Sequence, residues 1–119
     1  MRTQESDQMH NKILSAMVDE LVKRGHRIHG VDHIETNYPK PDKINGSIPD
    51  IVSNNGVQLH ITEVETCDSL ELSTTKEQIE AFSNTNAKFN LVVPKVCSIE
   101  ANKLKPLARN GNMEIWHYG

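Results

Sequence analysis

The sequence lacks the features that mark membrane-spanning and secreted proteins. No apolar run approaches the ~18 residues that a membrane-spanning helix requires. The opening stretch, MRTQESDQMH, is too polar to serve as a secretory signal peptide. We therefore expect a cytoplasmic protein that does not insert into a membrane.

Cysteine is scarce, and positive charge is not in excess. Cys67 and Cys97 show neither the C-x-x-C spacing nor the partner histidines of a zinc site, so we predict reduced, structural thiols. A formal net charge of -3 argues against a protein that coats nucleic acid in general, because such proteins are normally basic. The charge does not exclude a protein that contacts nucleic acid at one site, since metal-binding carboxylates make the net charge more negative.

What the sequence does contain is the composition of one globular domain. The 119 residues are 36% hydrophobic and 24% charged, which suits a single core. We predict a flexible N-terminal segment at residues 1–8 and one domain at residues 9–119. No internal repeat or low-complexity segment interrupts that domain.

The pattern of apolar residues predicts an alternation of helices and strands. Helical spacing predicts a first helix over residues 9–24, and β-branched residues predict a strand over residues 26–34. The next predicted elements are hairpin strands at 48–53 and 57–64, a helix opened by a capping box at 74–77 and a buried parallel strand at 88–94. A further helix from about residue 98, disturbed near Pro106, ends before Asn110-Gly111, and a closing strand follows at 113–118. This order, αβββαβαβ, predicts an α/β domain in which helices flank a mixed sheet.

The hairpin centres on the dipeptide Asn55-Gly56. This dipeptide is the strongest short signal for a two-residue type I′ turn, because both central residues of that turn need positive φ. A two-residue loop would place Asp50 opposite Ile61, whereas a three-residue loop would place Asp50 opposite His60. We predict the two-residue loop.

Three carboxylates gather at the far end of this hairpin. Asp50 would lie one diagonal step from Glu63, and Glu65 follows on the same side by the period of two. We expect that side to be buried because it also carries Val57, Leu59 and Ile61. Acids at the edge of a core repel one another and lose hydration, which a bound cation offsets. The pattern indicates a site for Mg²⁺ or Mn²⁺, which prefer carboxylate oxygens; a solvated acidic end of a hairpin is the alternative.

The residues around these acids carry a resemblance to a known family. Pro49-Asp50, a hairpin and then Glu63-Val64-Glu65 resemble the PD-(D/E)-x-K signature of the restriction endonuclease-like nucleases. The flanking segments IPDIV and ITEVE are similar to the archaeal Holliday junction resolvase branch. Glu65 stands where the family usually has Lys, although a minority of its restriction enzymes carry Glu there and cleave DNA. The resemblance covers residues 9–95 and implies a restriction endonuclease-like fold.

The resemblance also implies an activity, the metal-dependent hydrolysis of DNA phosphodiester bonds by activated water. Asp50, Glu63 and the backbone carbonyl of Val64 would bind Mg²⁺ or Mn²⁺. Glu65 would complete the catalytic set by orienting or deprotonating the attacking water, or by binding a second metal. It cannot supply the positive charge that Lys gives to the transition state.

Other residues are accessory candidates. Relatives often place a Glu on the first helix, which makes His10 and Glu20 candidates, and they often carry a Gln on the later helix, where Gln78 lies. Lys76 or Lys95 could supply the missing positive charge. A solvated surface position is the alternative for each of them.

Basic and imidazole groups near the hairpin suit a DNA partner. Lys40 and Lys43 are close to the hairpin in sequence and would contact the phosphodiester backbone. On the predicted strand His26 points away from His29 and His33, so we expect solvated or DNA-facing imidazoles rather than a metal cluster.

Several DNA substrates and a dimeric assembly suit the sequence. Branched or otherwise structured DNA, nicked duplex and single strands all suit the resemblance, and cutting both strands would favour a symmetric homodimer. The alternative function is a non-catalytic nuclease-fold module that binds DNA or a protein partner. The absence of the motif's Lys is the main support for that alternative.

Overall fold

Three helices and five strands alternate along residues 3–119, the part of the chain that the computed structural model describes. The helices are α1 (Gln4–Lys23), α2 (Ser73–Ser83) and α3 (Ser98–Asn102). The strands are β1 (Arg27–Val31), β2 (Ile51–Asn54), β3 (Leu59–Val64), β4 (Lys88–Pro94) and β5 (Glu114–Tyr118). The predicted α/β class is confirmed, and no helix within the described residues is long and apolar enough to cross a membrane.

The five strands form one mixed sheet in the order β1-β2-β3-β4-β5. The pairs β1/β2 and β2/β3 are antiparallel, whereas β4 runs parallel to β3 and β5 runs parallel to β4. The predicted parallel crossover through α2 is therefore confirmed. Because parallel strands end at the same edge of a sheet, the segments that follow β3 and β4 are neighbours in space.

Helices and turns cover both faces of the sheet. On one face α1 packs in a cluster that includes Ile13, Leu14, Leu21, Ile51 and Val64. On the other face α2 packs in a cluster that includes Ile61, Ile79, Phe82, Phe89 and Leu91. Fully burying one such side chain contributes about 1.5–3 kcal/mol. These two clusters hold α1 and α2 in place on either side of the hairpin.

Helix α1 begins earlier than predicted. It starts at Gln4, because the Thr3 side chain caps the helix by accepting a hydrogen bond from the backbone N–H of Ser6 at 3.1 Å. Residues 1–2 of the predicted flexible segment lie outside the described residues, and residues 4–8 belong to α1. Met9, where the predicted helix begins, is exposed, and the neighbouring His10 is buried instead.

The hairpin loop is longer than predicted. Asn54 pairs with Leu59, so four residues, 55–58, form the loop. Gly56 has a φ of 92°, but Asn55 does not adopt positive φ, and the type I′ turn is therefore wrong. Instead the Asn55 side-chain oxygen accepts hydrogen bonds from the backbone N–H groups of the last two loop residues, at 2.9 and 2.8 Å. These side-chain hydrogen bonds close the turn without a positive φ at Asn55.

The buried side of the hairpin is shorter than expected. Val57 is 92% exposed and Leu59 is 38% exposed, so Ile61 alone of the three predicted residues is buried. The longer loop carries Val57 out of the strand pairing and into solvent.

The two cysteines form a disulfide, so the prediction of reduced thiols is wrong. Cys67 and Cys97 are 30 residues apart in sequence, but their Cα atoms are 5.7 Å apart. This separation lies within the usual disulfide range of about 4.4–6.8 Å. The cysteines meet because they follow β3 and β4, which are parallel neighbours.

The C-terminal part contains a shorter helix than predicted. After α3, the chain continues as 3-10 turns at Lys105–Leu107 and Arg109–Gly111. Pro106 lacks a backbone N–H, which prevents a regular helix from continuing through this segment. The closing strand is present, one residue later than its predicted start.

Candidate active site

The observed hairpin register places Asp50 directly across from Glu63. Ile51 pairs with Thr62, so the two residues that precede and follow them face one another. The backbone N–H of Asp50 donates to Glu63 Oε1 at 2.6 Å. The prediction that Asp50 faces Ile61 is wrong by two positions. A shift of two positions keeps both acids on the same side, and it brings them closer together.

The three predicted carboxylates are all buried at one end of the hairpin. Asp50 is 2% exposed, Glu63 is 3% exposed and Glu65 is 2% exposed. They line a single cleft of about 290 Å³, together with His33, Ser69, Leu72, Thr74, Thr75 and Gln78. Burying carboxylates costs free energy unless hydrogen bonds, opposite charges or a cation compensate. The partners of each acid therefore decide what this cleft does.

Asp50 is held by groups from three different elements. Its Oδ2 accepts a hydrogen bond from the backbone N–H of Val64 at 2.8 Å and lies 3.1 Å from His10 Nε2. Its Oδ1 lies 3.4 Å from His33 Nε2. A backbone donor and two imidazoles thus surround one carboxylate.

His10 reaches the site from α1, where a solvated position was the stated alternative. The residue is buried, and its Nδ1 lies 3.0 Å from Asn11 Oδ1 while Nε2 faces Asp50. Both ring nitrogens of His10 thus lie within hydrogen-bond distance of a side-chain oxygen. His10 shares the helical spacing of the buried residues Ile13, Leu14 and Met17, and this spacing is the signal that could have placed it on the inner face.

His33 is a site residue that the sequence did not reveal. The predicted strand ends early, at Val31, so His33 lies in the following loop and not on one strand face with His29. It has a φ of 73°, which is uncommon outside glycine and is frequent at functional sites. Its ring meets the ring of His10 edge-on, with centroids 5.2 Å apart. Its side chain is 47% exposed and lines the cleft.

Glu65 is oriented by two buried hydroxyl groups. Its Oε1 accepts hydrogen bonds from Ser69 Oγ at 2.7 Å and from Thr75 Oγ1 at 3.1 Å. Thr75 was predicted to belong to a capping box, but Leu72 is the N-cap of α2 and makes no side-chain cap. The predicted box is wrong because α2 begins earlier, which turns Thr75 inward toward Glu65.

The remaining candidates divide between the cleft and the surface. Gln78 lines the cleft on α2, whereas Lys76 and Lys95 are exposed and do not line it. Glu20 lies ten residues along α1 from His10, about 15 Å away by helical rise. It pairs with Arg24, whose hydrogen bond lowers the pKa of Glu20.

The predicted DNA-binding lysines lie on the loop between β1 and β2. Lys40 Nζ is 4.0 Å from Asp32 Oδ1, and Asp32 Oδ2 is 3.5 Å from His33 Nε2. Lys40 therefore lies near the rim of the cleft. Lys43 is exposed on the same loop.

The donor chemistry of the cleft suits a hard cation, although its ligands are not arranged in advance. Among residues 3–119, no three His, Cys, Asp or Glu side chains form a ready metal-ligand set. Asp50 and Glu63 use oxygens to accept hydrogen bonds from backbone N–H groups, and a cation would compete with these bonds. Three carboxylates on one cleft are nevertheless the ligands that Mg²⁺ and Mn²⁺ prefer. The residues fit such an ion by donor type.

A second polar cluster lies at the opposite end of β3. The rings of His26 and His60 are edge-on with centroids 4.7 Å apart, and His26 Nδ1 lies 2.9 Å from Ser53 Oγ. Asn90 Nδ2 lies 3.1 Å from His60 Nδ1, and Asn90 Oδ1 is buried without a hydrogen-bond partner. Burial lowers the pKa of both histidines. His26 is thus half-buried and contacts Ser53 and His60, and its prediction as a DNA-facing imidazole stays a prediction.

The chain was compared with protein-family models, with curated proteins and with solved structures, and none of them matches. The resemblance to the PD-(D/E)-x-K nucleases therefore depends on the residues of the hairpin. The geometry of the cleft is the independent observation beside it.

Proposed function

We propose that this chain is a metal-dependent nuclease of the restriction endonuclease-like fold that hydrolyses DNA phosphodiester bonds. The observation that carries the proposal is the burial of Asp50, Glu63 and Glu65 around one cleft. Carboxylates placed so close together destabilise each other when ionised, and a divalent cation relieves that repulsion. The cleft opens to solvent at the end of the hairpin, where a phosphate could enter.

The roles of the acids follow from their positions. Asp50 and Glu63, with the Val64 carbonyl, would hold Mg²⁺ or Mn²⁺, which when bound stabilises charge on a phosphate and lowers the pKa of a bound water. Glu65, oriented by the hydroxyls of Ser69 and Thr75, would accept the proton of the attacking water.

Positive charge for the substrate would come from outside the motif. Among the described residues that line the cleft, none is Lys or Arg. The imidazoles of His33 and the buried His10 lie beside Asp50. Lys40, near the rim, would contact the DNA backbone together with Lys43. Gln78 would contact the substrate or its water from α2.

The absence of Lys and Arg from the described lining of the cleft favours a second candidate function. A non-catalytic module could retain the nuclease fold and bind DNA or a protein partner. Without a cation the three acids would repel phosphate, so this module would favour a protein partner. Metal binding separates the two functions.

The setting of the activity is also part of the proposal. We propose a cytoplasmic enzyme acting on DNA, including branched DNA, and a symmetric homodimer where both strands are cut. Disulfides are rare in the cytosol, and those that form there are usually transient or redox-sensing. In a cytoplasmic protein we therefore expect the Cys67–Cys97 bond to be transient or redox-sensing.

A panel of DNA substrates tests the proposal. Holliday junctions, flaps, nicked duplex and single strands are incubated with wild type, Asp50→Asn and the surface control Asp19→Asn, with Mn²⁺, Mg²⁺ or a chelator. We expect metal-dependent cutting by wild type and Asp19→Asn, and a loss of about 100-fold or more for Asp50→Asn, because ligand loss removes the charge that holds the cation. Cutting by Asp50→Asn at the wild-type rate would contradict the site. No cutting by wild type on any substrate would favour the non-catalytic module.

A further inference from the structure

The disulfide joins two turns at the edge of the sheet that carries the acidic cleft. Cys67 begins the 3-10 turn Cys67–Ser69 after β3, and Cys97 ends the 3-10 turn Lys95–Cys97 after β4. Cys67 lies two residues beyond Glu65. The bond therefore ties the segment that follows Glu65 to the neighbouring strand.

The turn Cys67–Ser69 carries one of the two hydroxyl groups that contact Glu65, and its backbone holds the other one in place. Ser69, the last residue of the turn, donates its hydroxyl to Glu65 Oε1 at 2.7 Å. The Thr75 hydroxyl lies 2.7 Å from the backbone carbonyl oxygen of Ser69 and 3.1 Å from Glu65 Oε1. The backbone N–H of Thr66 also donates to Ser69 Oγ, at 3.1 Å. A displacement of this turn would disturb both hydroxyl contacts to Glu65.

We propose that the Cys67–Cys97 disulfide is a redox control of the acidic cleft. The oxidised bond keeps the turn Cys67–Ser69 in place and Glu65 oriented toward the cleft. Reduction releases the turn, so that Glu65 loses its fixed orientation and the cleft binds a divalent cation more weakly. The consequence for DNA cleavage rests on the proposed function, whereas the effect on Glu65 does not.

The two sulfur atoms differ in their access to a reductant. Cys67 is exposed and Cys97 is buried, so a thiolate of an external dithiol would attack Cys67 Sγ. The S–S bond breaks, and Cys97 leaves as a thiolate that takes up a proton. The second thiol of the reductant then displaces Cys67, which also takes up a proton. Two electrons and two protons pass to the cysteines, and the reductant becomes a disulfide.

The buried cysteine has a partner in the reduced state as well. Cys97 Sγ lies 3.4 Å from the carbonyl oxygen of Pro94, to which a thiol can donate a hydrogen bond. Reduction therefore does not leave a buried thiol without an acceptor. The turn beside Glu65 also contacts α1, where Ser6 Oγ lies 2.8 Å from Thr66 Oγ1 and 2.7 Å from Asp68 Oδ1, so we expect reduction to loosen this turn without unfolding it.

The test compares oxidised and dithiothreitol-reduced wild-type protein by amide hydrogen exchange and by Mn²⁺ titration calorimetry. We expect faster exchange at residues 66–70 after reduction. We also expect Mn²⁺ affinity to be lower by about 10-fold, the lower end of the usual effect of disturbing a group that lies beside the metal ligands, as Glu65 would beside Asp50 and Glu63. Cys67→Ser and Cys97→Ser should resemble the reduced protein with or without reductant. Ile28→Ala, a core change on β1 that keeps both cysteines, should retain the response to reductant.

The outcomes separate this inference from the proposed function. Equal exchange at residues 66–70 in both redox states would overturn the redox control, whatever the protein does to DNA. If exchange and Mn²⁺ affinity respond to reduction but no DNA is cut in either state, the nuclease proposal fails and the redox control stands. If DNA is cut at equal rates in both states and exchange is unchanged, the nuclease proposal stands alone.

Discussion

The two ends of β3 both bury polar side chains, but they bury different chemistry. At one end Asp50, Glu63 and Glu65 gather around a cleft. At the other end the rings of His26 and His60 meet edge-on. Buried ionised acids need hydrogen bonds, opposite charge or a cation nearby, whereas imidazoles can lose their charge and be buried as neutral rings.

This difference is why we propose the acidic end as the functional one. The acidic end opens to a cleft of about 290 Å³, and backbone N–H groups, hydroxyls and the imidazoles of His10 and His33 orient its carboxylates. At the histidine end the side chains contact one another, His26 with Ser53 and His60 with Asn90. A buried acid cluster that faces a cleft suits a binding or catalytic role, and a neutral polar cluster between strands suits a structural one.

The largest expected effect comes from removing Glu65. Glu65→Ala should abolish metal-dependent cleavage, a loss of roughly 10²–10⁴-fold for a general base, while the fold remains intact. Stability should stay constant or rise, because one carboxylate fewer repels its neighbours. Cleavage assays and circular dichroism measure both properties.

The matched change at the histidine end is Asn90→Ala. It should alter stability but leave the cleavage rate of the folded protein near the wild-type rate, because the Asn90 side chain contacts His60 and Thr62 and neither of them lines the cleft. A wild-type rate for Glu65→Ala would remove the role assigned to Glu65. A large rate loss for a folded Asn90→Ala would erase the contrast between the two ends.

The next effect concerns the disulfide, which belongs to the acidic end. Cys67→Ser should lower the free energy of unfolding by about 2–4 kcal/mol, because the unfolded chain is no longer constrained by the cross-link. Urea titrations with and without reductant measure the change. Wild type should lose a similar amount in reductant, and a reductant effect on Cys67→Ser would show that the stability change has another source.

A smaller effect is expected from divalent cations. Mn²⁺ at about 100 times its dissociation constant should stabilise the folded state by about 2.7 kcal/mol, seen as a higher melting temperature. Asp50→Asn should lose this response, and Asn90→Ala should keep it because its change lies at the other end of the sheet. An undiminished response in Asp50→Asn would place the cation elsewhere.

The smallest expected effect is a pH dependence from the histidine end. Burial lowers the pKa of His60 below its ordinary value of 6.5, with further lowering by the charges of His26 and Lys88 and an opposing effect of Glu114. The unfolded chain therefore takes up protons at a higher pH than the folded chain does. The contribution to stability is complete above about pH 6.5 and is lost as the pH falls below it.

Urea titrations between about pH 5 and 8 test this dependence. His60→Gln should flatten the loss of stability on the acid side, whereas His29→Gln, an exposed histidine on β1, should not. An unchanged slope in His60→Gln would assign the dependence to other groups.

Local patterns were sufficient to predict several parts of the molecule. The α/β class, the bounds of β4 and the parallel crossover through α2 all follow from apolar periodicity and from short turn signals. The placement of Asp50 and Glu63 on one side survived an error of two positions in the register. It survived because side chains alternate with a period of two, which an even shift preserves.

The tertiary structure decided what joins these elements. Only the packing of α1 brought His10 against Asp50, and only the loop after β1 carried His33 to the same carboxylate. The disulfide likewise formed because two parallel strands end side by side, which brings together residues 30 apart in sequence. Backbone geometry sets local periodicity, so the sequence alone determined the order of the strands and the common side of the acids. Contacts between distant residues depend on how the elements pack, so the partners of those acids were determined by the fold.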